Sequence, residues 1–358
     1  MDDLQTARVI IGSYTESMPH VEGKGKGVSL LSLDFQTGRF EEVAAFEAIR
    51  NPTYLALAQD GNVLYAVEEL DDEAQASVAV LHMHGETGDI SLAKRVSAKG
   101  STPCHVSVDR AGKRLFVANY GSGSAVAYGL DHQGLPDDDD VMVIKRTGSG
   151  PVTDRQEGPH VHQVLVMPGD RHVLVCDLGT DEIARYAFGD QGIGSEPDVV
   201  LHVSGGSLPR HIVCSQDGRR LYVAHEAACT VGAYAIEGDN FTLLSETSTV
   251  PADFAGTSSC AAIKIHPNGR FLYVSNRGHD TIVACEILAD GGLRTLGWYP
   301  TMGRTPRDFA IDPTGRYLIV ANQDSHSLVC FEINGEHGTL TTIGEPFEIG
   351  SPVCVLFA

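Results

Sequence analysis

Three arginines and a glutamate stand at corresponding points of this sequence, where short apolar runs begin or end. Arg210 and Arg307 each follow a proline at the start of such a run, while Glu226 and Arg277 each stand where one ends. Guanidinium groups bind carboxylates and phosphates through paired hydrogen bonds, and a carboxylate beside them can accept a proton during catalysis. If the fold brings these four side chains together, they can bind a small anion and act on it.

Histidines stand beside the same points. His160 and His162 lie in the segment Gly158-Pro-His-Val-His162, which carries one residue more than the corresponding points elsewhere. The segment follows a long polar stretch, residues 147–157, which contains Arg155. Long loops on a rigid scaffold are where binding and catalytic residues concentrate, and imidazole commonly serves as general acid or base. We therefore expect His160 to transfer protons, with His162 as the alternative for that role, and His162 and Arg155 to bind substrate.

These points correspond because the chain repeats itself. Residues 103–119, PCHVSVDRAGKRLFVAN, return as PRHIVCSQDGRRLYVAH at 209–225 and as PRDFAIDPTGRYLIVAN at 306–322, and looser copies begin at Pro52, His160 and Cys260. A period of roughly 50 residues with strand–turn–strand content is typical of radial β arrays. Each unit predicts a short apolar strand A, a turn containing Gly and often Asp, a β-branched and aromatic strand B, and a hairpin of strands C and D.

The number of hairpins predicts how the array closes. Hairpins of strands C and D begin near residues 27, 77, 124, 182, 230, 281 and 327, which makes seven, whereas complete A–B hairpins number six. The missing strand B is at 8–14 and the missing strand A is at 352–357, so the last strand should complete the sheet that the first begins. We therefore predict an all-β, seven-bladed β-propeller with four-stranded antiparallel blades, formed by residues 1–358 as a single domain and closed by terminal strands that share one blade. An open β-solenoid, the alternative, has shorter repeats and does not need split halves at the two termini.

The blade geometry predicts where the polar side chains meet. Strands A and B are antiparallel and joined by a tight turn, so the start of A lies beside the end of B. Since strand A is the innermost strand of a propeller blade, these residues should all face one mouth of the central channel. The predicted catalytic residues are His160, Glu226, Arg210 and Arg277, and the predicted substrate-binding residues are His162, Arg307, His105, His211, Arg155 and Asn276. Hydrogen-bonded channel histidines are the alternative for His105 and His211, and a bond to loop backbone is the alternative for Asn276. The Gly- and Lys-rich segment 22–27 is a candidate lid.

The composition limits which binding partners and which cellular compartment are expected for the protein. With a formal net charge of −21 over 358 residues, the chain lacks the basic surface that nucleic acids and anionic membranes require. A local arginine cluster can still bind a small anion. We expect neither a membrane span nor a secretory signal. The eight cysteines form no CxxC pair, which indicates reduced, buried thiols and a cytoplasmic location; the oligomeric state is left open.

Several short motifs resemble those of a known family. Gly158-Pro-His-x-His162 and Ser275-Asn-Arg-Gly278 are the more specific ones, and they are accompanied by Gly12-Ser-Tyr-Thr15, Ala118-Asn-Tyr-Gly121, Asp177-Leu-Gly-x-Asp181, Pro209-Arg-His211 and Gly303-x-x-Pro-Arg-Asp308. Through them the whole chain resembles the lactonase family of seven-bladed propellers, whose members include the propeller-type bacterial 6-phosphogluconolactonase and the fungal 3-carboxy-cis,cis-muconate lactonizing enzyme. The resemblance implies a metal-independent site that opens or forms lactones at the channel mouth. By motif, a His, a Glu and two Arg of the muconate enzyme are similar to His160, Glu226, Arg210 and Arg277.

The resemblance and the charge pattern lead to a first hypothesis, a lactone hydrolase with 6-phosphogluconolactone as the expected substrate and with no cofactor or metal. Glu226 or His160 would activate water, while Arg210, Arg277 and Arg307 would hold the oxyanion and the anionic group of the substrate. A cycloisomerase that forms a lactone from a carboxylated muconate could use the same site. Two further alternatives are a non-catalytic propeller that binds a protein partner and a calcium-dependent lactonase with oxygen ligands from Glu68, Asn119, Asp177 and Asn276.

Overall fold

The chain folds into β-strands. The computed structural model describes residues 6–85, 88–189 and 192–358, and within these ranges it contains 29 strands and no helix. The strands form seven antiparallel sheets, six of four strands and one of five. We number these sheets as blades I to VII in chain order.

The strands follow one another along the chain, blade by blade. Blade I begins with β1 (Thr6–Ser13), β2 (Val28–Asp34) and β3 (Arg39–Phe46). Blade II contains β4 (Leu55–Leu57), β5 (Val63–Glu68), β6 (Ser77–Met83) and β7 (Ile90–Ser97). Blade III contains β8 (Pro103–Val108), β9 (Arg114–Asn119), β10 (Ser124–Leu130) and β11 (Pro136–Lys145). Blade IV contains β12 (Val161–Val166), β13 (His172–Asp177), β14 (Glu182–Gly189), β15 (Gly192–Ile193) and β16 (Val199–His202).

The second half of the chain repeats the pattern and then returns to blade I. Blade V contains β17 (Pro209–Cys214), β18 (Arg220–His225), β19 (Thr230–Glu237) and β20 (Asn240–Ser248). Blade VI contains β21 (Ser259–Ile265), β22 (Phe271–Arg277), β23 (Thr281–Ile287) and β24 (Leu293–Pro300). Blade VII contains β25 (Pro306–Ile311), β26 (Tyr317–Asn322), β27 (Ser327–Ile333) and β28 (Leu340–Glu348). The last strand is β29 (Pro352–Phe357).

The two ends of the chain close the ring. Strand β29 pairs with β1 in antiparallel register, with Val9 opposite Phe357 and Gly12 opposite Cys354, so the sheet order in blade I is β29-β1-β2-β3. The innermost strands contact one another in the circular order β29, β4, β8, β12, β17, β21 and β25, and β25 contacts β29 again. The prediction of a seven-bladed propeller whose terminal strands share one blade is therefore confirmed.

The core lies between the blades. Among the described residues, seven larger clusters of buried apolar side chains each join two neighbouring blades, one cluster for every interface of the ring. Phe116 of blade III and Tyr186 of blade IV meet in one of them, each 1% exposed. Because burial of apolar surface is the main favourable term in folding, this stacking makes the ring a firm support for the side chains at its mouth.

The A–B turns have the chemistry that the repeat predicts. In blade III the carboxylate of Asp109 accepts hydrogen bonds from the backbone N–H groups of Lys113 (2.7 Å) and Arg114 (2.8 Å). Gly112 occupies the left-handed region with φ of 65°, which costs glycine nothing. A turn held in this way sets the register of A against B, and therefore which residues reach the mouth.

Two findings bear on compartment. All eight cysteines have free thiols, and seven of them are buried. Within the described ranges no helix could span a membrane. The cytoplasmic location stays a prediction.

Candidate active site

A cavity of about 640 Å³ opens at the mouth where strands A begin and strands B end. Seven of the ten predicted site residues line it: Arg155, His160, His162, Arg210, Glu226, Arg277 and Arg307. The structure therefore brings together in one cavity side chains from blades IV to VII, which are separated by up to 152 residues between Arg155 and Arg307. His105, His211 and Asn276 are not among its lining residues.

A β-bulge near the start of strand A aims side chains into this cavity. In blade III Pro103 pairs with Asn119 and His105 pairs with Ala118, so Cys104 between them has no partner residue on β9. The same shift leaves His162, Arg210 and Arg307 unpaired in their blades. All four unpaired residues line the cavity, in keeping with the tendency of bulges to redirect side chains beside active sites.

The centre of the cavity is a carboxylate surrounded by arginines. Oε1 of Glu226 accepts a hydrogen bond from Nη2 of Arg155 (2.8 Å), and Oε2 accepts one from Nη2 of Arg277 (2.8 Å), while Nε of Arg210 lies 3.2 Å from Oε2. Nη2 of Arg277 also donates to the carbonyl of Cys260, and Nη1 of Arg210 to that of Ala261. Each guanidinium is thus held in place by Glu226 or by backbone.

The charges around Glu226 are unbalanced. Burial alone would raise the pKa of Glu226, but Arg277, Arg210 and Arg155 outweigh it and hold that pKa far below its usual range. Burial lowers the pKa of Arg210 to about 10, and the neighbouring Arg277 and Arg307 add to this effect. Glu226 is therefore a weak base that fixes the arginines, and one carboxylate compensates only one of three positive charges.

Arg307 faces the cavity without an anionic partner. No carboxylate lies within 4 Å of its guanidinium among the residues that the structure describes, and the group instead lies over the ring of Tyr14, 5.5 Å from its centroid. Burial lowers the pKa of Arg307, but Tyr14, Glu69 and Glu226 raise it by more, so the side chain stays charged. A positive charge in this position is available to an anionic group of a ligand.

His160 is fixed by backbone contacts on one side of the cavity. Its backbone N–H donates to Oδ1 of Asp177 (2.8 Å). Its imidazole ring stacks on the ring of Tyr120, with centroids 4.4 Å apart, and Nδ1 lies 2.9 Å from the backbone carbonyl oxygen of Tyr120. A carbonyl can only accept, so Nδ1 carries a hydrogen and Nε2 is the nitrogen left for proton exchange. Nε2 lies 3.1 Å from Oε1 of Glu157, which is also an acceptor, so this carboxylate must turn aside before Nε2 can take a proton from water. The Glu157 side chain is 64% exposed and has solvent to turn into.

Gly179 allows this placement of His160. A Cβ atom at Gly179 would lie 2.0 Å from the carbonyl oxygen of Gly158 and 2.6 Å from the backbone nitrogen of His160. The N–H of Gly179 shares Oδ1 of Asp177 with His160. The Asp177-Leu-Gly segment is therefore the support on which His160 rests.

Three further histidines lie at or below the floor of the cavity. The rings of His162 and His211 are 5.2 Å apart, and His105 lies 5.8 Å from His211 and 4.2 Å from Tyr54. Burial, with Lys264 and Arg210 nearby, lowers the pKa of His105 to about 3, and burial with Arg210 holds the pKa of His162 and of His211 well below 6.5. These imidazoles are neutral, and only His162 of the three reaches the cavity.

Asn276 has a structural environment rather than a binding one. It is 0% exposed, and its Nδ2 donates to the backbone carbonyl of Thr249 (2.7 Å) and to the hydroxyl of Thr281 (3.3 Å). Asn119 and Asn322 bond in the same way to the carbonyls of Ala98 and Thr301. Its donor joins two blades, which agrees with the alternative that the sequence left open for Asn276, a bond to loop backbone.

The residues predicted as a lid do not cover the cavity. Segment 22–27 is tied down by bonds from Lys24 N to Oγ of Ser351 (3.1 Å) and from Gly25 N to the carbonyl of Tyr14 (2.8 Å). Met18, Pro19 and His20, earlier in the same loop, line the cavity instead.

The four residues suggested as calcium ligands all make hydrogen bonds within the protein. Glu68 is bonded to Arg95 and Ser77, Asp177 to the His160 backbone, and the two asparagines bond to carbonyls of the preceding blade. Across the described part of the chain, no three His, Cys, Asp or Glu side chains are grouped so that they could hold a metal ion.

Four residues that the sequence interpretation did not select also contribute to the cavity. Glu69 occupies the same position after strand B as Glu226 does, and this shared repeat position is a signal that could have found it. Tyr120 occupies that position in blade III, and Cys104 occupies the bulge position of Arg210. Glu157 had no signal beyond its place in the long loop before His160.

Comparisons with known proteins agree with this architecture. A family model described as lactonase, 7-bladed beta-propeller, matches residues 8–357. The chain is 32% identical over 350 residues to 6-phosphogluconolactonase of Bacillus subtilis, covering 97% of each chain. It superposes with a TM-score of 0.89 on the crystal structure of a protein from Lactobacillus plantarum, at 30% identity and 99% coverage of both chains. It superposes equally well, with a TM-score of 0.89, on the periplasmic gluconolactonase of Pseudomonas aeruginosa, at 27% identity over 98% of this chain and 99% of that one.

Proposed function

Because the chain belongs to the lactonase family of seven-bladed β-propellers, we propose that it hydrolyses a lactone that carries an anionic group, with 6-phosphogluconolactone as the candidate substrate. One relative is named 6-phosphogluconolactonase and one structural neighbour gluconolactonase. The first name specifies a phosphorylated lactone and the second does not. The arginines of this cavity favour the phosphorylated lactone as the substrate.

The observation that carries the proposal is the excess of positive charge in a protein of net charge −21. Arg155, Arg210 and Arg277 share the single carboxylate of Glu226, and Arg307 has no carboxylate within 4 Å among the residues described. Like charges held this close repel one another unless an anion enters. A phosphate between Arg307 and its neighbours would relieve that repulsion and fix the lactone ring beside His160.

The reaction requires a base for water and positive charge for the oxyanion. Once the exposed Glu157 side chain has turned away from His160, Nε2 of His160 takes a proton from water as the water oxygen attacks the lactone carbonyl carbon. Arg210 or Arg277 stabilises the tetrahedral oxyanion, and Glu226 keeps both guanidinium groups oriented. When the ring C–O bond breaks, the proton on Nε2 passes to the departing ring oxygen, which leaves an open hydroxy acid. Between the two bases that the sequence offered, the arginine contacts of Glu226 favour His160.

The test is hydrolysis of 6-phosphogluconolactone followed by acid release, corrected for the spontaneous rate. The variant R277A should lower kcat/KM at least tenfold, since one charge-assisted hydrogen bond is worth about 1.5–3 kcal/mol. R110A, which removes an exposed arginine from the turn between β8 and β9, is the matched control and should leave the rate unchanged. Decay at the spontaneous rate with purified protein would end the proposal.

A second variant addresses the phosphate. R307A should raise KM for 6-phosphogluconolactone at least tenfold while changing KM for unphosphorylated gluconolactone less than threefold. An equal effect on both lactones would mean that Arg307 does not bind the phosphate.

A further inference from the structure

Opposite the arginine-rich side of the mouth lies a second buried carboxylate, that of Glu69 at the end of strand β5 in blade II. Glu69 is 4% exposed and lines the cavity. It corresponds in the repeat to Glu226 of blade V. The two glutamates differ in their surroundings, and the difference points to a different ligand group.

Neutral hydroxyl groups surround Glu69. Tyr14 donates its phenol O–H to Oε1 (2.9 Å), and Thr53 donates its hydroxyl to Oε2. Nε2 of His20, from the loop over the mouth, lies 3.2 Å from the same phenol oxygen. No arginine, lysine or histidine lies within 4 Å of the Glu69 carboxylate in the described ranges, whereas Glu226 has three arginines.

The backbone around Glu69 holds it in place without using its carboxylate. The N–H of Glu69 donates to the carbonyl of Asn51 (3.1 Å), and Nδ2 of Asn51 reaches the carbonyl of Glu69 (3.4 Å). Asn51 in turn accepts from the N–H groups of Thr15 and Glu16 (3.0 Å each). The strand end and the loop that follows β1 are thereby joined, and the carboxylate is left at the cavity wall.

A carboxylate has about four lone-pair positions, and the protein fills two of them with the hydroxyls of Tyr14 and Thr53. The remaining positions can accept hydrogen bonds from ligand hydroxyls. Arg307 stands beside this cluster, over the Tyr14 ring, and no carboxylate of the described residues lies within 4 Å of its guanidinium. A carboxylate with lone pairs left over and a guanidinium without a carboxylate beside it, on one cavity wall, suit a ligand that carries hydroxyl groups next to an anionic group.

We propose that Glu69, positioned by Tyr14 and Thr53, binds hydroxyl groups of the substrate, so that the site selects polyhydroxylated lactones and their ring-opened acids. This inference rests on the proposed lactonase function and names its substrate class. It separates that function from the cycloisomerase alternative, because a carboxylated muconate has no hydroxyl to donate and its carboxylates would be repelled by Glu69.

Binding of ring-opened acids tests the inference apart from catalysis. Calorimetry on the full chain compares 6-phosphogluconate with 6-phosphonooxyhexanoate, which has the same carboxylate and phosphate but lacks the hydroxyl groups between them. The wild-type protein should bind the hydroxylated acid at least tenfold more tightly. In E69Q that preference should shrink to less than threefold, with the affinity for the hydroxyl-free acid unchanged within threefold.

The control variant is E68Q. Glu68 is the adjacent buried carboxylate, bonded to Arg95 and Ser77 and absent from the cavity wall, so E68Q should keep the wild-type preference. Equal affinities in the wild-type protein, or a preference that persists in E69Q, would overturn the inference. If E69Q does not fold, equal affinities in the wild-type protein would still overturn the inference. A protein that prefers the hydroxylated acid but hydrolyses no lactone would refute the proposed function and leave this inference standing.

Discussion

Removal of the negative charge at Glu226 is the sharpest perturbation that the structure offers. In E226Q the side chain keeps its size, but Arg155, Arg210 and Arg277 lose their shared carboxylate. The side chains of Arg210 and Arg277 are 4% and 17% exposed, so water can replace little of what they lose. Arg155 is 42% exposed, so its lost contact counts for much less.

Breaking a buried ion pair by removal of one partner destabilises a protein by about 3–5 kcal/mol. We expect E226Q to lower the free energy of unfolding by that amount. An anion that binds the uncompensated arginines should restore stability by mass action, by about 2.7 kcal/mol when its concentration is 100 times its Kd. The variant should therefore depend on phosphate far more than the wild-type protein does.

The assay is urea unfolding at pH 7, with and without phosphate at constant ionic strength. E68Q is the control, since Glu68 is also buried but pairs with one arginine, Arg95, that is 38% exposed. E68Q should gain no more stability from phosphate than the wild-type protein does. If E226Q is as stable as the wild-type protein within about 0.5 kcal/mol, or if phosphate stabilises all three proteins equally, the picture of an over-charged arginine cluster is wrong.

The acid side of the same experiment follows from the pKa of Glu226. Its folded-state pKa lies below the ordinary value of 4.5, so the unfolded chain takes up the proton first as the pH falls. The stability that Glu226 contributes is therefore complete above pH 4.5 and is lost as the pH falls toward the folded-state pKa. The difference in stability between wild-type and E226Q should be constant from pH 6 to 8 and should shrink as the pH falls below about 4.5.

The mouth of the ring offers three more tests. G179A puts a methyl group against the backbone of His160 and should lower kcat at least tenfold, whereas G189A, where nothing lies within 4 Å, should not; equal rates would refute the role of Gly179. His105, His162 and His211 have depressed pKa values, so the unfolded chain binds their protons first and stability should fall below pH 6.5. The slope should reach about 4 kcal/mol per pH unit for three protons, as urea unfolding between pH 5 and 7 measures, and a flat profile would contradict the neutral imidazoles. Lactone hydrolysis should be unchanged within twofold after EDTA treatment; a loss that calcium restores would favour the calcium alternative instead.

The repeat was enough to predict the architecture, because hairpin turns and strand composition are local properties. The missing half-blade was predicted at 8–14 and 352–357, and the structure has β1 at Thr6–Ser13 and β29 at Pro352–Phe357. The same reasoning predicted that strand starts and strand ends share a mouth, and this brought seven of the ten chosen residues to the cavity.

The details of the site depend on features that the repeat does not contain. The sequence pattern predicted that the histidine of each Pro-x-His segment, His105 and His211, binds substrate. The bulge instead sends the residue before it, Cys104 or Arg210, into the cavity and leaves the two histidines beneath it. The third arginine contact of the Glu226 carboxylate comes from Arg155, which lies in a loop 71 residues away along the chain. Such contacts follow from tertiary geometry rather than from spacing.

The unpaired residue of each bulge also bears on how such a protein can diversify. Cys104, His162, Arg210 and Arg307 make no ladder pair with the neighbouring strand, so exchanging one of these side chains leaves the hydrogen bonds of its blade intact. Blades III, IV, V and VII thus each present one side chain at the mouth whose replacement need not disturb strand pairing. Related propellers could therefore change ligand through substitutions at these four positions, one blade at a time. The apolar clusters between the blades, which keep the ring closed, would not have to change.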